Sequence, residues 1–160
     1  MDKRVDKRMM EVRLCRAAEI FADVHWQALF AGYERECANP EMGASWPSLD
    51  MYENIEAAGL GQCFAAREDG LLYGFAFVIV GGLPHYARKC ATVESLYVAR
   101  ETRGGGLGTA LMHAVGDYAK EQGCHAIFIS APAQSRLARL LFLSEDQYRN
   151  TNHIFTKRLD

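Results

Sequence analysis

Residues 101–111 read ETRGGGLGTAL, with glycine at four of the five positions 104–108. Glycine this dense costs backbone entropy, so a bare main chain is required there. A glycine-rich turn that opens a helix presents several backbone N–H groups and the positive end of the helix dipole, which suits a phosphate or pyrophosphate. Spacing separates the known versions of such a site. The dinucleotide pattern GxGxxG needs glycine where Thr109 or Leu111 stands, and the GxxxxGK[ST] loop needs a lysine that neither Gly106 nor Gly108 is followed by. The pattern [RQ]xxGx[GA] fits at every fixed position across Arg103, Gly104, Gly105, Gly106, Leu107 and Gly108. Other chemistries find less support. The serine-bearing stretch SAPAQS lacks the G-x-S-x-G context of a nucleophile elbow. The five cysteines are scattered with no CxxC, and no His/Cys/Asp cluster has metal-ligand spacing, so no metal is expected.

The elements that must position this loop follow from periodicity. MEVRLC alternates Met10, Val12 and Leu14 against charged residues, as in a half-buried strand. The stretch 17–36 reads as one long helix, with Ile20, Val24 and Ala28 on one side and Phe21, His25 and Leu29 beside them. CANPEMGASWPS is a loop, and LDMYENIEAAG a short helix stopped by Gly59. QCFAARE and LLYGFAFVIV flank Asp69-Gly70 as a hairpin. GGLPHYARK is a turn-rich connection, and CATVESLYV a strand with Thr92, Glu94, Leu96 and Val98 on one face and Val93, Ser95 and Tyr97 on the other. A helix from Leu107 ends at Gly123, HAIFISAP is a strand, QSRLARLLFLSED a helix and HIFTKRL a last strand. The order β-α-α-β-β-β-α-β-α-β combines hairpins with one parallel strand-helix-strand unit. It predicts an α/β (α+β) fold: a mixed central sheet flanked by helices on both faces.

At 160 residues the chain suits a single domain, 1–160, with residues 1–9 expected to form a disordered N-terminal tail. A net charge of −2 argues against a nucleic-acid binder, which would carry a basic excess. No apolar run approaches the length of a membrane span, the opening MDKRVDKR is not a signal peptide, and unpatterned cysteines suit a reducing cytoplasm.

The longer string VESLYVARETRGGGLGTALM resembles the cofactor segment of the GNAT superfamily, the acyl-CoA-dependent N-acyltransferases. The resemblance implies an N-acetyltransferase that uses acetyl-CoA as co-substrate. It places the pyrophosphate on the amides from Arg103 to Thr109 and the pantetheine arm on the main chain of Leu96, Tyr97 and Val98, where the ligand pairs as a strand would. A tail pattern, N-x-x-A-x-x-[LF]-Y-x-x-x-G-[FY], matches imperfectly: Ser135 replaces the Asn, and Phe142 or Leu143 falls at the usual tyrosine, which serves as general acid. Tyr148 is the nearest tyrosine that could replace it.

Acyl transfer to an amine needs a base for an ammonium of pKa near 10, and a donor to the thioester carbonyl, often a backbone N–H. Glu94, just upstream of the loop, is the leading candidate for the base, with the N–H of Val98 or a neighbour as the donor. His25, Tyr33 and Glu34 on the first long helix, and His85 and Tyr86 before the Glu94 strand, are candidates for the acceptor site. The resemblance leaves the acceptor amine and a homodimer open. The rival readings are a non-catalytic acyl-CoA-binding module on the same fold and a nucleotide-dependent enzyme whose glycines hold ATP or NAD phosphates.

Overall fold

Alternating and β-rich segments become five strands: β1 (Met10–Cys15), β2 (Gly61–Glu68), β3 (Leu71–Leu83), β4 (Arg88–Val98) and β5 (Ala126–Ile129). A computed structural model describes residues 9–159. The strands form one sheet in the order β1-β2-β3-β4-β5, antiparallel throughout except for the β4–β5 pair. The crossover helix α4 (Leu107–Glu121) makes that parallel pair. Its Leu107, Leu111, Val115 and Ala119 pack on one sheet face against Phe64, Val78, Val93 and Val98. Helices α1 (Ala17–Phe21), α2 (Trp26–Cys37) and α3 (Leu49–Ala57) cover the other face, against Cys63, Phe75, Phe77 and Tyr97. Helix α5 (Arg136–Leu143) follows β5. The mixed sheet with helices on both faces is the expected architecture.

Local signals act where they were read. Asp69 and Gly70 both take positive φ, 50° and 81°, and turn β2 into β3. Gly59 (φ 68°) ends α3 and Gly123 (φ 71°) ends α4. The tail expected over residues 1–9 lies outside the described residues for 1–8. Met9 is described, and it exchanges backbone and side-chain hydrogen bonds with Asp69.

Four expectations are corrected. The helix read over 17–36 is two helices, because Asp23 turns its carboxylate onto the His25 N–H (2.9 Å) and offers the chain an alternative to helical bonding. Val24, expected on the apolar side with Ile20 and Ala28, is 89% exposed in the resulting turn. The GGLPHYARK connection is mostly strand: β3 runs to Leu83 and β4 starts at Arg88, leaving only Pro84–Tyr86 and Ala87 as the tip. HIFTKRL is not a strand. Ile154, Phe155 and Leu159 stay exposed, and among the described residues β5, four residues long, pairs with β4 alone.

The fourth correction bears on function. Ser95 pairs with Phe77 and Val93 with Val78, so Glu94 is an extra residue in β4, a β-bulge. The alternation therefore changes phase at Glu94. Ala91, Val93, Leu96 and Val98 share the α4 face, whereas Ser95 and Tyr97 face α1–α3. Glu94 does not share a face with Leu96 and Val98. It reaches the Tyr52 hydroxyl on the α1–α3 side.

Asp23 also accepts from Arg67 Nη1 at 2.8 Å, tying the α1–α2 turn to β2. Burial pushes the Asp23 carboxyl up, but hydrogen bonds from His25 and Arg67 outweigh it and hold the group below its ordinary range. Its stabilising contribution is thus present above the unfolded pKa and lost as pH falls through the lower folded value. Asp23→Asn is expected to cost about 2 kcal/mol at neutral pH. The gap to wild type should close on acidification, as urea unfolding across a pH series would record.

Candidate active site

The glycine loop is held at its two ends and bare between them. Arg100–Thr102 form one tight turn, with Thr102 N–H on the Ala99 carbonyl (3.2 Å) and Arg103 N–H on the Arg100 carbonyl (3.2 Å). Leu107 is buried in the core and pins the start of α4. Between them Gly104 and Gly106 take φ of 93° and 95°, which residues with a side chain rarely adopt. Helical bonding begins only at Ala110, whose N–H reaches the Gly106 carbonyl. The N–H groups of Gly104, Gly106, Leu107, Gly108 and Thr109 find no acceptor among the described residues. Together with the positive end of a 15-residue helix, they make a set of donors of the kind that suits an anion.

Beside the loop, β4 has an open edge. Parallel pairing to β5 covers Cys90–Val93, and among the described residues no strand pairs with the main chain from Glu94 to Val98 on that side. Ala99 N–H bonds to the Tyr73 carbonyl, toward β3. By the alternation of an antiparallel ladder, the polar groups of Leu96 and Val98 point the other way, into the gap. Arg103 Nε donates to the Val98 carbonyl at 2.9 Å, leaving the Val98 N–H and both Leu96 groups available. Tyr97, also assigned to the cofactor by resemblance, turns its main chain toward β3 and its buried ring toward α2.

The bulge brings Glu94 to the far side of this edge. Tyr52 of α3 donates its hydroxyl to Glu94 Oε2 at 3.3 Å. Tyr33 of α2 packs its ring on Phe75 and Tyr97, with centroids 5.7 and 6.2 Å away. Burial first, and then the charge of Glu94, push the Tyr33 phenol up to about 12 and raise that of Tyr52 as well. Both phenols therefore stay protonated at neutral pH, and Tyr52 donates to the carboxylate. Ser95, whose buried hydroxyl has no partner among the described residues, lines a cavity of about 20 Å³ with Trp26, Tyr52, Phe75 and Phe77.

Of the acceptor candidates, the structure brings Tyr33 to Glu94 and separates the rest. Glu34 accepts from Ser45 N–H at 3.2 Å and ties down the loop after α2. His25 belongs to the Asp23–Arg67 cluster, its Nδ1 lying 3.2 Å from Asp23 Oδ1. His85 and Tyr86 stack edge to face at the β3–β4 tip. From Arg88 to Glu94 the strand covers about 20 Å. Tyr52, Glu36 and Gly32 were missed. Tyr52 reads in sequence as the apolar face of α3, and only its contact across 42 residues reveals it.

The sequence model of the acetyltransferase (GNAT) family matches residues 26–142. The chain belongs to this family. Solved structures of similar fold include the ribosomal-protein-alanine N-acetyltransferase of Brucella melitensis biovar Abortus 2308 (20% identity, 95% of this chain and all of that one, TM-score 0.70). An aminoglycoside acetyltransferase from an uncultured soil metagenomic sample, bound to trehalose, matches at 15% identity over 94% and 97% of the two chains (TM-score 0.74). Glucosamine-6-phosphate N-acetyltransferase of Arabidopsis thaliana matches at 14% over 95% and 99% (TM-score 0.70). No curated protein sequence matches. The GNAT match begins at Trp26 and ends at Phe142, so it contains the loop, the bulge and all of α5 but its last residue. Within this GNAT chain Ser135 caps α5, accepting from Ala138 N–H at 3.1 Å. Phe142 and Leu143, at the usual tyrosine position, are exposed. Tyr148 is half-buried in the turn after α5, where its N–H bonds to the Ser144 carbonyl.

Gly32 explains how α2 approaches β4. A Cβ there would overlap the Tyr97 hydroxyl, the end of a rigid ring that cannot swing aside. Gly32→Ala gains about 1 kcal/mol of helix propensity but overpacks a buried contact at about 1–3 kcal/mol. We expect a net loss of stability in urea unfolding, with the Tyr97 ring displaced.

Proposed function

We propose that the protein is a cytoplasmic N-acetyltransferase that moves an acetyl group from acetyl-CoA directly to a primary amine in a ternary complex, with no covalent enzyme intermediate. The observation that carries this reading is the run of unpartnered N–H groups opening α4, set beside an unpaired strand edge and a carboxylate. Those donors fit a pyrophosphate, and the edge at Leu96 and Val98 fits an amide-bearing arm that pairs like a strand. The same donors with no strand edge beside them would suit ATP or NAD equally well.

Acetyl-CoA supplies the acetyl group as a thioester. Glu94 takes the proton of the acceptor ammonium, directly or through a water, and Tyr52 holds its carboxylate in place. At pH 7 an amine of pKa near 10 is protonated at a cost to attack of about 4 kcal/mol, which the base must offset. Val98 N–H donates to the acyl oxygen as negative charge gathers there. The amine nitrogen bonds to the acyl carbon, the carbon–sulfur bond breaks, and the sulfur leaves as a thiolate. With a thiol pKa near 8.5 it is a tolerable leaving group without a protein acid; Tyr148, the nearest tyrosine in sequence to the usual position, is the candidate for one. Five free cysteines accord with the cytoplasm. Among the described residues no helix is long and apolar enough to cross a membrane. Proteins of this fold are named for acceptors as different as aminoglycosides, glucosamine 6-phosphate and a ribosomal-protein alanine, so the amine is left as a class. Calorimetric titration with acetyl-CoA, NAD and ATP tests the reading. Binding of acetyl-CoA alone supports it, and a folded protein that ignores acetyl-CoA overturns it.

A further inference from the structure

Arg103, expected among the cofactor residues, is committed to protein partners. Its main-chain N–H is on the Arg100 carbonyl, Nε on the Val98 carbonyl, and Nη1 on Glu36 Oε2 at 2.9 Å. Its guanidinium also lies over the Tyr97 ring, 5.3 Å from the centroid. Glu36 gathers the other ends of this cluster: its Oε1 accepts from Arg100 Nε at 2.8 Å and from the Tyr97 hydroxyl at 3.1 Å. Burial works against the Glu36 carboxylate, yet the hydrogen bonds from Arg103, Arg100 and Tyr97 hold it ionised below its ordinary range. The site is an awkward one for an acid. Glu36 stands in the last turn of α2, facing the negative end of the helix dipole.

Magnitudes separate the two arginines. The Arg100 side chain is 76% exposed, so its ion pair is screened and contributes little. Arg103 and Glu36 are each 21% exposed, and their bond is charge-assisted and shielded. Helix α2 carries Tyr33 against Tyr97 and within reach of the charge of Glu94. Arg103 is the residue from which the glycine loop departs. Glu36 is thus the covalently remote joint between the wall beside Glu94 and the anion loop, spanning 67 residues of sequence.

We infer that Glu36 is a positioning residue that couples the two substrate sites: by fixing Arg103 it sets the loop for the pyrophosphate, and acetyl-CoA held on the loop in turn fixes α2 for the amine. This rests on the function proposed above. It predicts that the first substrate orders the wall that receives the second.

The test is acetyl-CoA titration together with hydrogen exchange of α2 amides, on the full chain of the wild type, Glu36→Gln, Arg103→Lys and the double variant. Glu36→Gln keeps shape and removes charge, and Arg103→Lys keeps charge and removes the fork, so either can report if the other folds poorly. We expect acetyl-CoA to slow exchange in α2 of the wild type. In Glu36→Gln, affinity should fall about tenfold, equivalent to about 1.4 kcal/mol, and α2 should no longer respond. The double variant should bind little worse than the weaker single one, as one shared link requires. Affinity within twofold of wild type with an intact α2 response overturns the coupling, as does full additivity of the two changes. Failure of the wild type to bind acetyl-CoA is a different result: it removes the functional reading on which the coupling stands.

Discussion

Glu94→Gln is expected to lower kcat/KM for an amine acceptor by about 10²–10⁴-fold at neutral pH, the usual range for a lost general base. The amide keeps the shape of the carboxylate and can still meet the Tyr52 hydroxyl, so fold and acetyl-CoA affinity stay near those of the wild type. What disappears is the group proposed to accept the ammonium proton. The variant must then wait for the free amine, whose fraction rises about tenfold per pH unit up to a pKa near 10. Its rate should therefore climb steeply with pH and approach the wild-type rate in alkali. The measurement is thiol release from acetyl-CoA against primary amines identified by screening. A loss below about threefold with an unchanged pH profile would return Glu94 to the role of a bulge residue that happens to be polar.

Gly106→Glu is expected to weaken acetyl-CoA binding by about 100-fold or more. Two effects combine. Gly106 sits at φ 95°, so any side chain there is strained, at about 1–3 kcal/mol. The new carboxylate also occupies the positive end of α4, taking up donors meant for phosphate and repelling a second anion. Gly106→Ala separates them: it carries the strain without the charge, and should lose far less affinity than the glutamate. Thermal unfolding of both variants checks that α4 is intact. Equal losses in the two would mean that loop shape, and not anion recognition, governs binding.

The loop was legible because it is contiguous. Arg103 through Gly108 lie within six residues, their chemistry is main-chain chemistry, and the helix they open is regular enough to read from Leu107, Leu111 and Tyr118. The hairpin at Asp69-Gly70 was legible for the same reason: turn residues act on their own backbone. What stayed hidden depends on distant partners. Asp23 breaks a helix whose periodicity looks unbroken, because its carboxylate is claimed by Arg67 from β2. Glu94 looks like one more residue of an alternating strand until β3 fixes the register opposite it. Tyr52 and Glu36 reveal themselves only through contacts 42 and 67 residues away. HIFTKRL reads as a strand by its residues, yet a local reading states a capacity and not a partner. Within the site, the resemblance pointed to a stretch of main chain but could not tell which way a side chain turns. Arg103 was expected to meet the ligand and meets Glu36.

The extra residue in β4 has a consequence for how this protein can change over time. Odd-numbered Val93 and even-numbered Val98 both serve the same core only because one position is counted twice between them. The strand thus carries a parity, and the extra position that sets it is Glu94 itself. Loss of its codon would leave Val93 opposite Val78 and Ser95 opposite Phe77, closing the ladder into plain alternation. Ser95 and Tyr97 would still face α1–α3, and Leu96 and Val98 would still face α4. The carboxylate beside Tyr52 is therefore the one letter of β4 that its core can spare.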